Sequence, residues 1–189
     1  MKSKILWIIS AVALVGIIAG ASVLYNKLSA EYSADNLASN TQAQETTASE
    51  NIYAAPDFTV LDSNGRKVRL SDYKGKPIVL NFWTTWCYYC NVEMPDFNKA
   101  YAKYPEVQFL MVNGTDGVQE TMEIAKEYIA QEGFSFDVFY DTQLEAVSAY
   151  QVGSFPTTFF IDKDGSLVTY ANGMLDLEAL EKGISMISE

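Results

Sequence analysis

The sequence predicts an α/β protein in which a mixed central sheet is covered by helices on both faces. Three observations carry this reading. Apolar runs of strand length alternate with helix-periodic stretches from Phe58 to the C-terminus. Two turn signals, Asp62-Ser63-Asn64-Gly65 and Asp162-Lys163-Asp164-Gly165, mark a hairpin near each end of that region. Between them, the apolar run Ile78 to Phe82, broken only by Asn81, leads into a helical stretch that opens on Cys87-Tyr88-Tyr89-Cys90.

The first fifty residues stand apart. Residues Ile5 to Tyr25 are apolar or small, broken only by Ser10 and Ser22. A helix of that length measures about 31 Å, matching a hydrocarbon core of about 30 Å. Residues 1–25 are therefore read as a single-pass transmembrane anchor, with a cleavable signal peptide as the rival because Ala19-Gly20-Ala21 fits a small-x-small cleavage pattern. Lys2 and Lys4 precede the run and no acid occurs among the first thirty residues, which keeps the N-terminus in the cytoplasm and carries the rest across. Either reading puts the folded domain outside the cytoplasm, at the cell membrane if the anchor stays. Residues 26–50 change to Ser, Thr, Ala, Gln, Asn and Glu without Phe, Trp, Ile or Val. They read as a flexible tether with a span on the order of 25 to 30 Å. Residues 51–189 form the domain, with 10 Lys/Arg against 20 Asp/Glu and a net charge of −10. That balance gives no footprint for nucleic acid.

Within the domain, Phe58 to Leu61 and Lys67 to Leu70 read as the first hairpin, and Ile78 to Phe82 as the central strand. The helix after the cysteines runs to about Tyr104, bent at Pro95 and stopped by Pro105. Val107 to Val112 is the next buried strand. Val118 to Gln131 carries Val118, Met122, Ala125 and Ile129 as a helical stripe that Gly133 ends. Phe136 to Tyr140 reads as a strand and Thr142 to Tyr150 as a helix. Thr157 to Ile161 and Ser166 to Tyr170 make the second hairpin. Asp176 caps a last helix through Ile187, with Leu177, Leu180, Ile184 and Ile187 on one face.

The chemistry lies in the cysteines. The chain has two Cys and no His, so the four soft or imidazole ligands usual for zinc are not at hand, and no cofactor is implied. A structural disulfide gains little from so short a loop. Cys87 stands where a strand hands over to a helix N-terminus, where orphan N–H groups and the helix dipole favour a thiolate. A redox role follows, because the thiolate is the attacking species. Cys87 at the helix N-terminus is expected to be exposed, whereas Cys90 sits a turn further in and faces the core, where desolvation raises a thiol pKa.

Trp86-Cys87-Tyr88-Tyr89-Cys90 after a strand, Pro95 five residues on, and Phe155-Pro156-Thr157 ahead of a second apolar strand resemble the thioredoxin superfamily. Asn81-Phe82-Trp83-Thr84-Thr85-Trp86, Glu93 three residues after Cys90, and the extra segment between Gly114 and Asp141 are similar to its membrane-anchored TlpA/ResA-like branch. The resemblance covers roughly Ala54 to the C-terminus. It implies a thioredoxin fold with an N-terminal β-hairpin and a central helix-strand insertion. It implies further that Cys87 attacks a partner disulfide and Cys90 resolves the mixed disulfide. Glu93, at a position where the branch has an acidic residue, would be partly buried and move the proton of Cys90. Asn81 replaces the buried acid of many thioredoxins. Pro156 would follow a cis bond that exposes the backbone of Phe155 to a substrate chain. Trp86, Tyr88 and Tyr89 at the turn, with Phe155, would shape partner access. Trp83, flanking the site with Trp86, could join them in an apolar rim, or Phe82 and Trp83 could divide between the two sheet faces.

By this resemblance the partners are disulfide-containing envelope proteins, apocytochrome c among them, and an integral membrane dithiol carrier that supplies electrons. The expected activity is that of a tethered thiol:disulfide oxidoreductase acting as a reductant. A disulfide-forming oxidase of the same fold, a thiol peroxidase of the peroxiredoxin kind, and a non-catalytic binding module are the competing readings. Tyr88-Tyr89 stands where Glu-Pro or a similar pair is familiar, so the direction of electron flow is left open.

Overall fold

The computed structural model describes residues 37–39 and 53–188. Among them the order is β1 (Leu37–Ser39), β2 (Thr59–Leu61), β3 (Lys67–Arg69), a 3-10 turn (Leu70–Tyr73), β4 (Ile78–Trp83), α1 (Tyr88–Lys103) and β5 (Gln108–Asn113). There follow α2 (Met122–Glu132), β6 (Val138–Tyr140), α3 (Glu145–Ala149), β7 (Thr157–Ile161), β8 (Leu167–Asn172) and α4 (Leu177–Ile187). The strands form one sheet in the order β1-β8-β7-β4-β5-β6-β2-β3. β4, β5 and β6 are parallel to one another, and the antiparallel hairpins β7-β8 and β2-β3 flank them, β7 antiparallel to β4 and β2 antiparallel to β6. This is the mixed sheet expected from the alternating pattern.

β4 lies at the centre because it is buried on both faces. Its side chains alternate as strand geometry requires. Val79 and Trp83 join the cluster formed with Met94 and Phe97 of α1 and Leu180 and Ile184 of α4. Ile78, Leu80 and Phe82 point the other way, onto Phe58, Leu70, Phe139 and Tyr150. Phe82 and Trp83 therefore divide between the faces, and Trp83 is core rather than part of a rim. By the same period Asn81 faces α1. Each large side chain buried this way contributes about 1.5 to 3 kcal/mol of transfer free energy.

Several boundaries differ from the sequence reading for local reasons. The helix expected from Val118 begins at Met122, because Asp116 Oδ1 accepts the N–H groups of Val118, Gln119 and Glu120 and holds them in a turn. Thr121 then caps α2 by accepting from Ile124 N–H. Val118 is 88% exposed and leaves the apolar stripe. The helix expected over Thr142 to Tyr150 shrinks to Glu145–Ala149. Leu144 adopts a left-handed conformation, and Asp141 accepts from the N–H groups of Glu145 and Val147. α1 continues through the exposed Pro95 as one helix, Tyr88–Lys103. α4 matches its expected range, with Asp176 accepting from Ala179 N–H.

Leu37–Ser39 falls in the stretch read as a tether and pairs antiparallel with β8 from Leu37↔Ala171 to Ser39↔Thr169. Such pairing uses backbone groups alone, so a polar composition does not forbid it. The rest of the expected tether and the whole expected anchor lie outside the described residues. Among the described residues no helix is long and apolar enough to cross a membrane.

Candidate active site

Cys87 and Cys90 are joined by a disulfide at the junction of β4 and α1. Cys87 is itself the N-cap of α1, and its Sγ accepts the N–H of Cys90 at 3.1 Å. That N–H is one of the four donors that a helix start leaves without an internal partner. Cys87 was expected to be exposed; in the disulfide it is 6% exposed and Cys90 is 0%. The reason is geometric: the Cys87 sulfur turns back onto Cys90 and joins the core cluster against which Phe155 packs. The order of accessibility is still the one the helix position predicts, with Cys87 the outer sulfur.

Glu93, one turn beyond Cys90 on α1, is 1% exposed, more deeply placed than the partial burial expected. Its Oε1 accepts from Asn81 Nδ2 at 2.8 Å and its Oε2 from the backbone N–H of Leu175 at 2.9 Å. Burial pushes the carboxyl up from 4.5 to about 8, against the downward pull of the two hydrogen bonds. In this disulfide form the group therefore carries a proton at neutral pH. Asn81 Nδ2 also donates to Thr158 Oγ1 at 2.9 Å. This amide links β4, β7 and α1, and supplies a donor where many thioredoxins place an acid.

The Phe155–Pro156 peptide bond is cis. Phe155 meets Trp86 edge to face with ring centres 5.9 Å apart. Its ring lies over Gly114: a Cβ at that position would come within 2.8 Å of Phe155 Cζ. Glycine is needed there to admit the ring. Trp86, Tyr88 and Tyr89 are 51%, 72% and 60% exposed, and the two tyrosines pack edge to face at 5.4 Å. These large side chains are exposed in one stretch around Cys87, rather than scattered singly.

The structure thus brings Cys87, Cys90 and Glu93 onto one helix, with Trp86 and Phe155 in contact beside them. Sequence reasoning missed three participants. Thr158 and the backbone of Leu175 hold the Asn81–Glu93 pair, and Glu120 bonds to the loop just before Cys87. No local pattern marks them, since their partners lie 35 to 82 residues away.

Comparison with known proteins places this geometry. Residues 53–170 match the AhpC/TSA family. Over 135 residues the chain is 39% identical to the thiol-disulfide oxidoreductase ResA of Geobacillus kaustophilus, covering 70% of this chain and 75% of that protein. It is 33% identical to ResA of Bacillus subtilis, covering 70% and 73%. Among solved structures, the exposed lipoprotein thioredoxin of Streptococcus pneumoniae superposes with a TM-score of 0.61 at 30% identity, covering 69% of this chain and 98% of that one. StoA of Bacillus subtilis has the same fold, with a TM-score of 0.61 at 24% identity over 70% of this chain and 98% of that one. With its Cys-x-x-Cys disulfide at the start of α1, the chain belongs to the AhpC/TSA family of the thioredoxin superfamily and is a thiol-disulfide oxidoreductase of the ResA type.

Proposed function

We propose that the protein is a membrane-tethered extracytoplasmic reductant of disulfides in envelope proteins, recharged by an integral membrane dithiol carrier. The observation that carries this reading is the buried, proton-holding Glu93 carboxyl one helical turn from Cys90. In the reduced enzyme the Cys87 thiolate attacks one sulfur of a client disulfide. A new S–S bond forms to Cys87, and the client's other sulfur leaves as a thiolate that takes a proton from water. Cys90 then gives its proton to Glu93, which is ionised in the reduced enzyme, and attacks the Cys87 sulfur. The second client sulfur departs and is protonated from solvent. Two electrons have passed from the enzyme dithiol to the client, and the enzyme is left as the disulfide with Glu93 protonated, the form its raised pKa favours at neutral pH. Reduction by the membrane carrier reverses these steps, and Glu93 returns the proton to Cys90.

Apolar and aromatic contacts from Trp86, Tyr88, Tyr89 and Phe155 would receive the client beside the disulfide, with the backbone before Pro156 offering strand-like pairing. Relatives named ResA support the exchange chemistry. The run Ile5 to Tyr25 supports the tether, and cytochrome c maturation is the client pathway that the family resemblance favours. The deciding experiment is the equilibrium reduction potential of the Cys87/Cys90 pair, titrated against glutathione and dithiothreitol. A value at or below about −270 mV supports a reductant; one near about −120 mV would make the protein a disulfide-forming oxidase instead.

A further inference from the structure

Glu120 is fully buried, 0% exposed, although it lies in the loop that leads into α2. Its carboxyl oxygens accept three hydrogen bonds. Oε1 takes the backbone N–H of Thr85 at 3.0 Å and Asn113 Nδ2 at 2.6 Å, and Oε2 takes the hydroxyl of Thr85 at 2.6 Å. Both functional groups that Thr85 can donate are thereby held by one side chain from 35 residues away.

Thr85 is two residues before Cys87, in the loop between β4 and α1. Its carbonyl accepts Asn91 Nδ2 at 3.0 Å from the first turn of α1, and Cys87 N–H donates to Thr84 O at 3.3 Å. A continuous chain of bonds therefore runs from Glu120 through Thr85 to the residues that set the place of Cys87. The far end is equally fixed. Asp116 Oδ1 accepts the N–H of Glu120 and of the two residues before it, Gly117 N–H donates to Glu120 O, and Thr115 Oγ1 donates to Asn113 Oδ1. Every element of this anchor belongs to β5 or to the segment that follows it. Glu93, the other buried carboxyl near the cysteines, bonds to Asn81 and Leu175 and not to this loop.

We propose that Glu120 is a positioning residue for thiol exchange: the loop that follows β5 and enters α2 braces the Cys87 loop through Thr85 and keeps the Cys87 sulfur on the N–H groups that open α1. The inference rests on the reading of Cys87 as the attacking thiol. Its physical basis is that a hydrogen bond to the charged form of a group favours that form. A sulfur held against the Cys90 N–H is kept as thiolate, and one released from it reverts to thiol. Small misplacements of a reacting group cost rates heavily.

The test uses the full chain, reduced, with iodoacetamide as the probe, the rate of alkylation followed against pH and the modified cysteine identified by mass spectrometry. Thr85→Val removes only the hydroxyl bond and keeps the backbone N–H; Thr85→Ser restores it. In Thr85→Val the midpoint of Cys87 alkylation moves up by about one pH unit, which lowers the rate at neutral pH about tenfold. Thr85→Ser returns to the wild-type profile, and Glu120→Ala, where it folds, moves at least as far as Thr85→Val. A Thr85→Val profile that coincides with wild type while Cys87 remains the labelled residue overturns the brace and leaves the exchange chemistry intact. Labelling of Cys90 instead of Cys87 in the wild type overturns the reading of Cys87 and the brace with it. A shift in Thr85→Val that Thr85→Ser fails to reverse also overturns the proposal, since the hydroxyl bond would not be its cause.

Discussion

Replacing Glu93 by Gln separates a proton-carrying carboxyl from one that is merely polar. Burial holds this carboxyl at about 8 rather than 4.5. An acid whose folded pKa lies above its unfolded value binds its proton more tightly when folded. Its contribution to stability is fully present below pH 4.5 and is lost as the pH rises through 8. At about 1.4 kcal/mol per pH unit, the whole span corresponds to about 5 kcal/mol, of which about 3.5 kcal/mol disappears between pH 5 and pH 8. Gln does not titrate, and its amide nitrogen cannot accept a hydrogen bond. Either Asn81 Nδ2 or the Leu175 N–H, both of which now donate to the carboxyl, loses its acceptor there at a cost of about 1 to 3 kcal/mol. The variant is therefore expected to be less stable than wild type at pH 5, level with it at a pH between about 5 and 7, and more stable by pH 8. Urea unfolding of both oxidised proteins at pH 5, 6, 7 and 8 measures the crossing. A stability difference that stays constant across that range would refute the raised carboxyl and, with it, the role of Glu93 as a proton carrier.

Two further substitutions test the site. Cys90→Ala should accumulate a mixed disulfide between Cys87 and a client or small-molecule disulfide, visible as an added mass on non-reducing analysis, whereas Cys87→Ala should trap essentially none because the remaining sulfur is 0% exposed; equal trapping by both would reverse the assigned order of attack. Gly114→Ala places a methyl group against the Phe155 ring, so Phe155 must move off Trp86. The expected result is a loss of about 1 to 3 kcal/mol in stability and weaker client exchange with the alkylation profile of Cys87 unchanged.

Most of the fold was legible because its signals are local. The turn residues at Asp62 and Asp162 placed both hairpins, and strand geometry divides Phe82 and Trp83 between the faces, one of the two readings the sequence left open. The cap at Asp176 and the apolar stripe of α4 marked its true range. Where the reading slipped, a side chain competed with the backbone pattern. Asp116 gathered three N–H groups that periodicity had assigned to α2, and Asp141 with the left-handed Leu144 shortened α3. Apolar spacing carries no information about such competitors.

The site divides the same way. Two cysteines at a strand-to-helix junction, an acid one turn on, and a proline before the next strand are sequence facts, and the order of the two sulfurs follows from helix geometry alone. Which carboxyls are buried is another matter. Glu is ordinarily a surface residue; the family resemblance, at its spacing from Cys90, singled out Glu93 for partial burial, whereas nothing near Glu120 in the chain distinguishes it from Glu123 or Glu127. The burial of Glu93 and Glu120 is decided by donors that only folding brings to them: Asn81 and the backbone of Leu175 for the first, Thr85 and Asn113 for the second. A buried carboxyl is tolerable only where such donors converge, and their convergence is a property of the assembled sheet, helix and loop rather than of any one segment.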